Sequence, residues 1–91
     1  MTDRLHVLIE GFVQGVGFRF STVREAQKLE LCGWVRNCPD GRVEAEFEGP
    51  RPALDKMLQW CRRGPAFSRV ANVTPTWDSG TPRYANFSIR F

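Results

Sequence analysis

The alternating run at residues 42–48 constrains the fold more than any other stretch of this chain. Its apolar residues are Val43, Ala45 and Phe47, and its charged residues are Arg42, Glu44, Glu46 and Glu48. Successive side chains of a strand point to opposite faces of a sheet, so the pattern predicts a strand with one covered and one wet face. The fold therefore needs a sheet with a single covering layer, and we interpret the three glutamates as its solvated side.

Similar patterns predict the other elements. Apolar or alternating runs predict strands at residues 5–13, 34–37, 70–77 and 84–91, the last with Ala85, Phe87, Ile89 and Phe91 facing inward. Helical spacing occurs twice, first in Phe20, Val23, Ala26 and Leu29, and then in Leu54, Met57, Leu58 and Cys61 between Pro52 and Gly64. The order is strand, helix, strand, strand, helix, strand, with a short final strand. It predicts an α+β fold of the ferredoxin-like split βαβ type (βαββαβ), an antiparallel sheet with two helices on one face.

Size and composition limit what the chain can be. The 91 residues, 42% of them hydrophobic, fit one domain spanning residues 1–91. No apolar run is long enough for a membrane span and the N-terminus lacks a signal-peptide pattern, so we expect a cytoplasmic protein without a membrane partner. Three cysteines without a CxxC pair and a single histidine do not match a zinc site, and no metal is expected. The net charge of +3 is scattered and selects no partner.

A glycine-rich stretch follows the first predicted strand. Gly11, Gly15 and Gly17 do not match GxGxxG, because position 20 is a phenylalanine, and no Gly-Lys-Ser/Thr follows. Glycines adopt positive φ easily, so residues 14–18 can aim successive N–H groups at one anion. The helix that follows contributes its N-terminal backbone amides. Arg19 contributes a planar guanidinium group that can donate to two phosphate oxygens. A glycine-rich turn with a solvated arginine is the alternative, and spacing by itself does not decide between them.

Two motifs carry a family resemblance. Residues 9–19, IEGFVQGVGFR, and residues 33–43, GWVRNCPDGRV, continuing to Gly49, resemble the two signatures of the acylphosphatases. Gly64-Pro65, Val70 and residues 87–89 also resemble the family, so the likeness covers nearly the whole chain. The resemblance implies the ferredoxin-like fold and hydrolysis of the carboxyl–phosphate bond of small acyl phosphates. The products would be a carboxylate and inorganic phosphate, and the phosphate would also inhibit the enzyme. No cofactor would be needed.

The resemblance also implies roles for particular residues. The phosphoryl group would be bound by the backbone of Gly15, Val16, Gly17, Phe18 and Arg19 together with the Arg19 guanidinium. Asn37 would position a water molecule for in-line attack, which makes Arg19 and Asn37 the expected catalytic residues. Asn37 ends the second predicted strand, and in a split βαβ sheet that end can approach the loop after the first strand.

Other residues, and the element order itself, admit different interpretations. We expect His6 to have a structural or partly exposed role. Cys38 is not expected to be a nucleophile because no base accompanies it. An RNA-recognition module shares this element order, but the exposed face of its third strand should carry aromatics where this chain has glutamates, so no nucleic-acid partner is expected. Acylphosphatase-like domains also begin larger carbamoyl-transfer proteins of hydrogenase maturation. The end of the chain at Phe91 favours a free enzyme, which we expect to be a monomer.

Overall fold

The predicted order of strands and helices is present in the computed structural model, which describes all residues 1–91. The elements are β1 (Thr2–Phe12), α1 (Phe18–Lys28), β2 (Cys32–Asn37), β3 (Val43–Gly49), α2 (Arg51–Arg63), β4 (Arg69–Gly80) and β5 (Phe87–Arg90). Most boundaries lie within a few residues of the predicted ones. Neither helix has the length and apolar composition needed to cross a membrane.

The five strands form one sheet in the order β4-β1-β3-β2-β5. The first four pair antiparallel, as the ferredoxin-like plan requires. β5 pairs in parallel with β2, so the sheet is mixed and the expectation of a wholly antiparallel sheet is corrected at this edge. The chain reverses direction between β4 and β5, and β5 therefore runs in the same direction as β1 and β2.

The core lies between the sheet and the two helices, which contribute to one cluster of 17 buried residues. From the sheet come Leu5, Val7 and Ile9 of β1 and Val43, Ala45 and Phe47 of β3, all fully buried. From α2 come Leu54, Met57, Leu58 and Cys61, which confirms the stripe predicted for that helix. The alternation in β3 and the helical spacing in α2 predicted the buried residues correctly, because each of these elements has one face against this core.

α1 packs against the core with only part of the predicted face: Ala26 is buried and Val23 and Leu29 are partly buried against the core, but Phe20 is not. Its buried residues are Phe18, Thr22 and Ala26, which recur every four residues. Phe20 was predicted to face the core, but its side chain is 67% exposed. Thr22 can take a core position because its hydroxyl donates a 2.8 Å hydrogen bond to the Phe18 carbonyl oxygen. The apolar pattern did not include Thr22, because threonine is not among the hydrophobic residue types.

The open face of the sheet is polar, but Glu48 is not solvated as the alternation suggested. Glu48 is only 4% exposed. Its Oε2 accepts a 3.0 Å hydrogen bond from Arg4 Nε, and its carboxylate also accepts from the backbone N–H groups of residues 83 and 84. Because every strong acceptor in this buried carboxylate has a donor, its burial is tolerated. The loop after β4 is thereby anchored across the sheet.

The other two glutamates of β3 are also engaged. Glu44 accepts from His6 Nε2 at 2.7 Å and from Arg36 Nε at 2.6 Å. Partial burial acts to raise the pKa of Glu44, but these two hydrogen bonds outweigh it and hold the pKa below its ordinary value. Glu46 accepts from the Tyr84 hydroxyl. The structural role expected for His6 agrees with this pairing, and the simple description of β3 as a solvated face is wrong.

β5 is shorter than predicted, and its last aromatic residue does not face inward. Phe87 is buried and its ring stacks on Phe47 with the centroids 5.3 Å apart. The last paired residue is Arg90, opposite Arg36 of β2. Phe91 therefore lies beyond the ladder and is fully exposed.

The buried carboxylate generates a stability prediction. Glu48→Ala should leave the Arg4 guanidinium without its buried partner and release the loop after β4, and we expect unfolding to become easier by roughly 3 kcal/mol. Urea denaturation followed by circular dichroism measures this. Glu10→Ala, at an exposed position of β1, is the matched control and should change stability by less than about 0.5 kcal/mol. Equal effects of the two substitutions would contradict the role given to Glu48.

Candidate functional site

The connection between β1 and α1 forms a glycine loop, residues 13–17. Gly15 has a φ of 77° and Gly17 a φ of 75°, the left-handed region that side chains disfavour. A Cβ added at either position would meet nothing within 4 Å. These glycines are therefore required by backbone conformation and not by close packing. Gly17 is also the N-cap of α1, so the turned backbone leads directly into the helix.

The backbone amides of this segment are free of protein partners. The N–H groups of residues 15–20 donate to no backbone or side-chain acceptor, and the first bond of the helix is from Ser21 N to Gly17 O at 3.0 Å. Consecutive free amides at a positive-φ turn and a helix N-terminus are suited to an anion.

These groups surround a small cavity of about 90 Å³, which combines the loop, the helix start and the end of β2. It is lined by Val13, Gly15, Gly17, Phe18, Arg19, Phe20 and Asn37. Five of the six residues that the sequence predicts for the site therefore meet here. Val16 is not among the lining residues, although its amide belongs to the free series.

Arg19 lies in the first turn of α1 and is half-buried. Its guanidinium forms no ion pair with any carboxylate of the chain. The contact it does make is with the ring of Phe91, whose centroid lies 5.3 Å from Arg19 Cζ. A guanidinium that no carboxylate engages can still bind an anion through two parallel N–H groups.

Asn37 is the last residue of β2 and lines the same cavity. Its Oδ1 atom is buried and has no hydrogen-bond partner, the one such side-chain atom in the chain. A buried acceptor without a donor costs about 1–3 kcal/mol, and folded proteins rarely keep one without a reason. The structure thus combines an unpaired acceptor with unpaired donors around one small space.

Gln14 connects the two halves of the site, a role that the sequence analysis missed. Its Nε2 donates to the carbonyl oxygens of Cys38 at 2.8 Å and of Arg42 at 2.9 Å. Cys38 directly follows Asn37, so the glycine loop is tied to the hairpin that carries the asparagine. The sequence signal for this role was the long amide side chain of Gln14 in a glycine-rich loop, because its Nε2 carries two N–H donors that can bind acceptors on another segment.

Cys38 is not suited to nucleophilic chemistry. Burial raises the pKa of its thiol, with the Arg36 guanidinium acting more weakly in the opposite direction. A thiol with a raised pKa carries little thiolate at neutral pH. No group of three or more His, Cys, Asp or Glu residues is placed to hold a metal ion.

Known proteins match this chain over nearly its full length. The Acylphosphatase family model matches residues 5–89. A curated acylphosphatase from Anaeromyxobacter sp. (strain Fw109-5) is 48% identical over 87 residues, which cover 96% of this chain and 94% of that relative. The crystal structure of acylphosphatase from Bacillus subtilis superposes with a TM-score of 0.94 at 38% identity, covering 98% of this chain and 99% of that one.

A larger protein shares the fold over a small part of its length. Full-length HypF, in a phosphate- and nucleotide-bound form, superposes with a TM-score of 0.86 at 24% identity, covering 100% of this chain but 12% of that one. This likeness concerns the fold, whereas the family model and the curated relative match in sequence as well. On that evidence the chain belongs to the acylphosphatase family.

Proposed function

We propose that the chain hydrolyses the carboxyl–phosphate bond of small acyl phosphates, with water as the nucleophile. The observation that carries the proposal is the buried, unpartnered Oδ1 of Asn37 in the same cavity as Arg19 and the glycine loop. A site that offers free donors for an anion and one free acceptor for a water molecule has what this reaction needs. Membership of the acylphosphatase family supports the same reaction.

The donors bind the phosphoryl group. The amides of residues 15–19 and the Arg19 guanidinium would contact its non-bridging oxygens, where negative charge is spread in the transition state. The cavity of about 90 Å³ is roughly three times the 30 Å³ share of one water molecule, which suits a phosphoryl group but not a whole acyl phosphate. Arg19 has the further advantage of a planar fork that matches two oxygens.

The acceptor orients the nucleophile. Asn37 Oδ1 would accept a hydrogen bond from the attacking water molecule. The water would then be oriented with a lone pair of its own oxygen directed at phosphorus. An amide oxygen is not basic enough to remove the proton, so its contribution is position and orientation. Such positioning supplies up to roughly 7–11 kcal/mol in well-oriented reactions.

The leaving group explains why so few side chains suffice. Water oxygen forms the new bond to phosphorus while the bond from phosphorus to the carboxyl oxygen breaks, and the electron pair leaves with the carboxylate. The protons of water pass to the phosphate product and to solvent. Because a carboxylic acid has a pKa of about 4, the carboxylate departs without a general acid. His6, on the open face of the sheet, is therefore not needed, and we propose a reaction without metal.

The open face of the sheet bears on the RNA-recognition alternative. Glu44, Glu46 and Glu48 of β3 occupy the positions where such modules carry base-stacking aromatics, and all three are held in hydrogen bonds. This supports our proposal that nucleic acid is not a partner. We further propose one domain, a monomer and a cytoplasmic location, to which three free cysteines are suited.

The function and the role of Arg19 are tested together. The purified protein should release inorganic phosphate from acetyl phosphate in the presence of EDTA, with inhibition by added phosphate. Arg19→Ala should lower kcat/KM by roughly 10²–10³-fold, the usual effect of losing one transition-state donor. Arg19→Lys should recover little, because an ammonium cannot form the two-pronged contact. Arg63→Ala, at an exposed arginine of α2, is the control, and a folded Arg19→Ala protein with normal turnover would refute the assignment.

Asn37→Ala should separate turnover from phosphate binding. We expect kcat to fall about 100-fold while the inhibition constant of phosphate changes little, since the partner of Asn37 is water and not the phosphoryl group. The melting temperature should not fall and is expected to rise, because the substitution removes a buried acceptor that has no hydrogen-bond donor. Parallel losses in turnover and phosphate affinity would count against the assignment.

Gln14 is expected to act as a positioning residue. Gln14→Leu keeps the size of the side chain but removes its N–H donors. The glycine loop should then shift relative to Asn37, and we expect kcat to fall about tenfold or more. Gln14→Glu should be worse, because its carboxylate would face two carbonyl oxygens. Gln59→Leu, on the exposed side of α2, is the control, and steady-state kinetics with thermal melting provide the readout. Normal turnover and phosphate inhibition in Gln14→Leu would show that the bridge is dispensable.

A further inference from the structure

A second, larger hollow adjoins the small cavity of the site. It is an open groove of about 560 Å³ between α1 and β5, lined by Phe20, Val23, Arg24, Gln27, Ile89 and Phe91. Phe20 lines both the groove and the small cavity. The groove therefore begins where the site of phosphoryl binding ends.

The groove arises from the two features of the fold that the sequence patterns did not predict. α1 turns Phe18, Thr22 and Ala26 to the core and directs Phe20 to solvent, while Val23 lies between them, partly buried at the floor of the groove. β5 is an edge strand, and the chain beyond it leaves Phe91 fully exposed. Two large aromatic side chains, those of Phe20 and Phe91, are thus exposed on either side of one hollow.

The groove is also connected to the site through Arg19. The Arg19 guanidinium lies over the ring of Phe91, 5.3 Å from its centroid. A ligand held by this guanidinium and extending away from the glycine loop would meet the Phe20 and Phe91 rings next. None of the six lining side chains is acidic, and Arg24 is basic.

We propose that this groove binds the acyl part of the substrate and that it selects acyl phosphates with an aromatic acyl group. The inference rests on the proposed function. The small cavity has room for the phosphoryl group only, so the acyl group must lie outside it. A volume of about 560 Å³ falls within the roughly 300–1,000 Å³ of small-molecule sites. An aromatic acyl group would cover the two exposed phenylalanine rings, which a two-carbon acetyl group is too small to do.

The test compares two substrates of the same chemistry. Benzoyl phosphate and acetyl phosphate are hydrolysed by the wild-type protein and by Phe20→Ser and Phe91→Ser, and kcat/KM is measured for each pair. We expect each substitution to lower the ratio of kcat/KM for benzoyl phosphate to that for acetyl phosphate by about tenfold, the low end of the effect of one apolar contact in a pocket. Phe67→Ser is the matched control, since Phe67 is 82% exposed and lines neither hollow. Its ratio should equal that of the wild type.

The outcomes separate this inference from the proposed function. If the wild type hydrolyses both substrates but neither groove substitution lowers the ratio, the inference is overturned and the function stands. If the ratio is unchanged while either substitution converts an oligomer to a monomer in light scattering, the groove is covered by a second copy of the chain, which also overturns it. If the wild type hydrolyses neither substrate, the proposed function fails and the inference fails with it.

Discussion

The hydrogen bonds from the Gln14 side chain to the Cys38 and Arg42 carbonyls hold together segments that lie 24 and 28 residues apart in the chain. Pairing of β1 and β2 with β3 brings the glycine loop and the end of β2 to the same edge of the molecule. The glutamine then sets their separation. Since the proposed chemistry depends on position more than on reactive side chains, we expect this glutamine, which does not line the cavity, to control whether the site is assembled.

The chain leaves polar groups unpaired at the site and pairs them elsewhere. Glu48 is deeply buried, yet its carboxylate is met by Arg4 and by two backbone N–H groups. Asn37 Oδ1 is also buried, yet it has no donor at all. The same chain can therefore satisfy a buried acceptor and does so away from the cavity. The contrast supports the role with the attacking water that we propose for Asn37, since leaving this acceptor unpaired costs about 1–3 kcal/mol.

The groove between α1 and β5 results from the places where the structure departs from the simple ferredoxin-like plan. A fifth strand lies parallel to β2 and creates a new edge beside α1. Because α1 buries Thr22, the neighbouring Phe20 is directed outward, and Phe91 extends past the end of the ladder. Each residue is out of place when judged by hydrophobicity alone. In our proposal they form an apolar extension of a site that otherwise consists of backbone amides, the Arg19 guanidinium and the Asn37 amide oxygen.

The sequence by itself determined the order of the elements and the inward faces of β3 and α2. Through the motif resemblance it also predicted Arg19 and Asn37 as site residues, and both line one cavity. These follow from local periodicity and from residue types at fixed spacing, which report how each segment prefers to lie. Only the tertiary structure decided that Phe20 faces outward, that Glu48 is buried and that Gln14 bridges two segments. Each of these depends on a partner far along the chain or on a hydrogen bond that makes a polar group compatible with burial, and periodicity contains no information about either.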